Sequence, residues 1–281
     1  MHSLHIELIV VAVVTAITCV LPGVFLVLRG VAMMSDAISH AILLGIALMF
    51  LLIKRLNSPL LLLGAACAGI LTVVCTEIII KSKRLKQDAA IGLIFPLFFS
   101  IGVVLISLYA RNVHLDIDMV LLGEIGFAPF NRMIIGTIDC GPAALWIVGS
   151  ALLLNIGFMS LFYKELVLTT FDATLATMAG FTPSFFYYGL MVITSITAVA
   201  TFDIVGSIMV VALMITPAAT AYLLTHRVKD MIVLSLFFAS ISAILGYFFA
   251  FLADISIAGS IACMTGVFFV GSLCRVKMFS N

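Results

Sequence analysis

Apolar runs of about 17–25 residues, the length an α-helix needs to cross a bilayer, recur along this chain with short polar breaks. They fall at about 7–28, 31–53, 59–80, 91–109, 143–163, 184–202, 204–224, 231–253 and 257–274. This predicts nine spans, or eight if Pro22-Gly23 makes the first region broken or re-entrant, since irregular backbone is tolerated at membrane depth only where protein buries it or it lines a cavity. Pro217 removes one ladder hydrogen bond and predicts a kink in its span. Asp203 and Asp254 mark turns, and Asp88 is expected to cap a helix starting near Ala89.

Two connections are long. ARNVHLDIDMVLLGEIGFAPFNR carries His114, Asp116 and Asp118 in alternation and reads as an acidic loop that a docking partner could use. The other, at about 164–183, is too polar to span. Within it Asp172 is placed as an N-cap, Leu175, Met178 and Ala179 form an apolar face, and Gly180 suits the C′ position. A short amphipathic helix there would lie on the membrane or dock into a partner's groove. Its apolar face is small for lipid, which favours docking.

Composition narrows the class. Of 281 residues, 64% are hydrophobic and 10% charged, more apolar surface than a soluble domain of this length can cover. The chain is read as an all-α polytopic membrane protein of eight or nine transmembrane helices in one bundle, a single domain over 1–281 in contact with membrane lipid. The net charge is +1, and no basic run suggests nucleic acid. Cys19, Cys67, Cys75, Cys263 and Cys274 lie in or beside apolar spans and Cys140 near the end of a loop, which is no disulfide framework. The first span lacks a small-residue cleavage site and is read as a retained helix. Ten Lys and Arg residues fall in one set of connections and four, including Lys54 and Arg55, in the other. The positive-inside rule therefore places the first set in the cytoplasm, the N-terminus outside and the C-terminus inside.

Within the apolar sequence stand Asp36 and His40, in SDAISHAILLG. An ionised aspartate near mid-bilayer costs about 2.5–3.5 kcal/mol on insertion scales, so such residues usually mark a pathway. Four residues apart on a helix they lie about 40° apart, and a carboxylate and an imidazole facing one way make half a shell for a divalent metal. They would equally make a satisfied structural pair. Glu77 lies beside the Lys81–Lys86 run and is read as pairing with it. GxxxxGK[ST], HExxH and GxSxG are absent, which weakens enzyme readings and leaves transport leading; ATP, if used, must be hydrolysed by another subunit. A proton- or ion-coupled carrier or channel acting alone would use Asp36, His40 and Glu77 as a relay, but leaves the 164–183 helix without a task.

SDAISHAILLG, QDAAIGLIF, FDATLATMAG and VALMITPAATAYLLT, in this order and spacing, resemble the permease of bacterial ABC importers of manganese, zinc and iron. More distantly the chain resembles cobalamin and siderophore permeases. The resemblance implies a second permease chain, identical or paralogous, two cytoplasmic ATP-binding subunits, and an extracytoplasmic metal-binding protein. It implies no permanent cofactor, the metal being cargo. The family's D-x-x-x-H motif falls on Asp36 and His40, and its ATPase-coupling helix on Asp172 to Gly180. Where many relatives have proline after that aspartate, this chain has Ala173. A twofold pair would bring two aspartates and two histidines to one ion.

Overall fold

A computed structural model of the chain describes residues 2–53, 60–109, 125–135 and 138–279. Among them are α1 (His2–Leu28), α2 (Met33–Ile53), α3 (Leu60–Lys81), α4 (Gln87–Tyr109), α5 (Ala143–Leu161), the short α6 (Tyr163–Phe171) and α7 (Ala173–Met178), α8 (Pro183–Leu224), α9 (Val228–Ala253) and α10 (Ile257–Phe279). Eight of these are long and apolar enough to cross a membrane. Before α5, strands β1 (Arg132–Ile135) and β2 (Ile138–Pro142) pair antiparallel. Lys54, Arg55, His114, Asp116 and Asp118 lie outside the described residues.

α8 is 42 residues long, about 63 Å as one helix, twice the hydrocarbon thickness of about 30 Å. Its backbone breaks at Gly206 (φ 74°, ψ 166°), a conformation glycine alone adopts without strain. Tyr187 and Tyr188 at its start pack on Arg29 and Lys81. Its last turn leads into α9, whose far end brings Tyr247 to His5 at the opposite end of α1. Both ends of α8 therefore lie at one end of the bundle, and the chain reverses near Gly206. The reversal explains why eight helices read as nine apolar spans. The break falls just beyond the turn expected at Asp203. Pro217, where a kink was expected, keeps helical backbone.

The expected interruption at Pro22-Gly23 does not occur: α1 runs through it. Proline deprives the Thr18 carbonyl of its ladder donor, and Asn155 of α5 supplies one through Nδ2 at 2.9 Å. The same side chain pairs with Thr197 of α8. In lipid a freed carbonyl must be satisfied by a neighbour, so the proline ties three helices together. Gly23 beside it meets the Met214 carbonyl so closely that a Cβ would overlap it. Asp88 also differs from expectation. It lies inside the first turn of α4, favoured there by the helix dipole, and is not its cap.

α2 is held at glycine contacts. Gly45 meets the backbone of α3 at Gly64 and Ala65, and Gly102 of α4 meets the backbone at Leu43 and Leu44. Small residues allow such approach where hydrophobicity does not drive helices together. Replacing Asn155 with Leu should lower stability by about 1–3 kcal/mol, because a buried carbonyl and hydroxyl lose their partner; thermal unfolding in detergent reads this, and an unchanged midpoint would discount the Pro22 account. For orientation, single cysteines at the exposed Ser82 and Ser256 in a cysteine-free background should label differently, only the latter reacting with an impermeant reagent in intact cells.

Candidate functional site: the Asp36–His40 pair of α2

The turn from α1 to α2 is short because Gly30, at φ 69°, closes a Schellman motif: Val31 N–H donates to Leu26 O and Gly30 N–H to Val27 O. α2 starts three residues later, so Asp36 falls in its first turn and His40 one turn further on. They lie toward the Arg29 end of the bundle rather than at mid-helix. The positive end of the helix dipole favours an anion there. Ser35, just before Asp36, and Ser39, just before His40, are buried and donate back to Ala32 O and Ser35 O.

The His40 Nε2 stands 3.4 Å from Asp36 Oδ1, with the two side chains 21% and 36% exposed. They share a partly exposed stripe of α2 with Met33, Leu48 and Leu52, and the stripe borders α4 at His40. Phe95 and Phe99 of α4 hold the imidazole, at ring-centroid distances of 4.8 and 5.6 Å. Its Nδ1 is buried without a hydrogen-bond partner among the described residues. The pair predicted from sequence is thus brought together and remains partly accessible. Among the described residues no three His, Cys, Asp or Glu side chains group to hold a metal, so one chain offers two donors.

Glu77 pairs with Lys81 at 3.7 Å, as expected. It also lines a cavity of about 260 Å³ with Arg29, Val31, Gln87, Tyr187 and Tyr188, beside the start of α2.

The 164–183 connection folds as expected around Asp172, whose carboxylate accepts from Leu175 N–H at 2.8 Å. Gly180 (φ 86°) ends α7 in a second Schellman motif, with Phe181 N–H on Ala176 O and Gly180 N–H on Thr177 O. Ala176 faces inward and is fully buried, while Leu175 and Met178 are 52% and 81% exposed. The helix before it, α6, was not expected. Its signal is weak, a single buried turn carrying Leu166 and Thr169. Arg29 was likewise read only as a loop charge. Its Nε donates to Thr170 Oγ1 at 3.0 Å, a terminal nitrogen donates to Thr169 Oγ1 at 2.9 Å, and the guanidinium lies over the Tyr187 ring. Burial lowers its pKa from the usual value and Tyr187 acts against that.

Helices long enough to cross a membrane, a partly exposed acid–imidazole pair and a structured polar connection are parts that a membrane transport subunit would use. Residues 1–275 match the model of the ABC 3 transport family. The chain belongs to that family, whose members are permease subunits, and it is a multi-pass protein of the cytoplasmic membrane. It is 49% identical over 263 residues to the zinc transport system membrane protein TroD of Treponema pallidum, covering 94% of this chain and 71% of that one. It is 43% identical over 265 residues to the manganese transport system membrane protein MntD of Bacillus subtilis, covering 94% and 90%. Among solved structures it superimposes on PsaBC of Streptococcus pneumoniae, determined in complex with a Fab, with a TM-score of 0.77 and 32% identity over 95% of this chain and 89% of that one.

Proposed function

We propose that this permease carries a divalent transition metal ion into the cell, that Asp36 and His40 are its transient ligands, and that ATP is hydrolysed by separate subunits docked on α7. The observation that carries this reading is the geometry of the pair. Two donor atoms 3.4 Å apart with metal bonds of about 2.1 Å subtend an angle of about 108°, close to tetrahedral. The ion would therefore fit between them without rearrangement of the helix. Carboxylate with imidazole suits manganese, zinc and iron(II) alike, in keeping with the zinc and manganese named for the relatives.

Two donors are too few for a shell of four to six. A second permease chain, a copy or a paralogue, supplying its own pair across a twofold axis would complete it, with water filling any remainder. The partial exposure of the pair, with the exposed Met33 beside it, supports such a neighbour. An extracytoplasmic binding protein would deliver the ion, and two ATP-binding subunits would engage the exposed Leu175 and Met178, positioned by the Asp172 cap and the Gly180 stop.

Asp36→Asn keeps shape and hydrogen bonding but removes the anion. Uptake of metal into proteoliposomes holding the assembled transporter should fall to near background in this variant and in His40→Ala, with expression unchanged. Near-normal transport by Asp36→Asn would leave the two residues a packing pair. For docking, Leu175→Asp with Met178→Asp places unpaired charge in the contact and should cost several kcal/mol of association. Copurification of the ATPase reads this directly, and wild-type copurification with full uptake would remove the docking role.

A further inference from the structure

The cytoplasmic helices and the helix that bears Asp36 are joined by one side chain. Arg29 sits in the turn between α1 and α2, and the Schellman closure at Gly30 leaves almost no slack between it and Met33. Its guanidinium reaches in two directions. Two of its nitrogens hold Thr169 and Thr170 at the end of α6, just before Asp172 caps α7. Its face lies 5.9 Å from the Tyr187 ring centroid, at the start of α8 just after that segment. The short α6–α7 unit is thus gripped on both flanks by one residue belonging to the α2 turn. Phe162 and Phe181 pack on Phe186 and close the same unit from behind. A planar guanidinium can make this two-point bond and stack at once, which an ammonium cannot.

The geometry points to Arg29 as the positioning residue that transmits displacement of α6–α7 to the first turn of α2, and so to Asp36 and His40. This rests on the reading that an ATPase docks on α7. When the docked subunit moves α7, α6 moves with it through the Asp172 connection. The two threonine hydroxyls then pull on a turn only seven residues from Asp36. Neighbouring charges do not replace this link, because Lys81 is engaged with Glu77 and Tyr188 on α3 and α8. Thr169 and Thr170 also bond within their own helix to Leu166 O, so α6 keeps its shape when the guanidinium is removed.

The test uses the full transporter, permease with its ATP-binding subunits, in liposomes, and measures metal taken up per ATP hydrolysed. Arg29→Ala should leave ATPase copurification and basal hydrolysis intact and lower that ratio about tenfold, a typical size for coupling between sites. Thr169→Val with Thr170→Val removes the acceptors with little change of shape and should do the same. The three changes combined should cost no more than Arg29→Ala alone, since they break one link. Arg29→Lys should not restore the ratio. An unchanged ratio in variants that retain bound ATPase, full recovery with lysine, or additive losses would each overturn the link. Loss of ATPase binding in Arg29→Ala would also overturn it, making the residue a brace for α7. Failure of the wild-type permease to bind any ATPase would instead remove the docking reading, and the link with it.

Discussion

The backbone-to-backbone approach of α2 to its neighbours is the constraint on which the rest depends. In hydrocarbon, apolar side chains gain nothing by leaving lipid for protein, so helices are held by close van der Waals contact and by hydrogen bonds they cannot make elsewhere. Gly45 against Gly64, and Gly102 against Leu44, bring main chains together with no side chain between. α2 is thereby fixed against α3 and α4, and the stripe with Asp36 and His40 stays partly exposed along its border with α4. Phe95 and Phe99 then set the imidazole. A larger residue at Gly45 or Gly102 would push α2 outward, and the donor pair would move with it.

Much of this was legible because membrane sequences are severe in what they permit. The apolar runs located every long helix, Asp36 and His40 stood out as ionisable residues where such residues are costly, and Asp172 and Gly180 marked both ends of α7. What escaped the sequence was tertiary. Pro22-Gly23 reads as a breaker from local propensity alone; only the position of Asn155 and of the Met214 carbonyl, more than a hundred residues away, turns it into a joint. Gly206 looks like one glycine among twenty, and its φ of 74° follows from a reversal that Asp203 signalled less accurately. The helix α6 is only nine residues long, too short for a helical period to declare itself, and one buried turn suffices to dock it.

The two Schellman turns, at Gly30 and Gly180, have related effects. Each ends a helix abruptly and sends the chain on within a residue or two. At Gly30 the result is a stiff link between α1 and α2, so that Asp36 is carried by a short lever rather than a loose loop. At Gly180 it is a fixed exit from α7 to Thr182 and Pro183, which begin α8. Turns this short leave little chain in which to absorb displacement by local bending, which suits the coupling proposed above.

An importer must bind its ion well enough to take it and loosely enough to let it go. A complete cage within one chain would serve the first need and obstruct the second, because carboxylate–metal bonds at a rigid tetrahedral or octahedral site release slowly unless the ligands move. Two donors on one helix, 3.4 Å apart and partly exposed, avoid that difficulty under the proposed reading. The shell is then complete only while two permease chains present their faces together. A small relative shift of the two α2 helices lowers the ligand number at once, without unfolding a turn or breaking a bond inside either chain. Affinity becomes a property of the arrangement of the pair, and a conformational change needs only differential contact with the ion to drive its release.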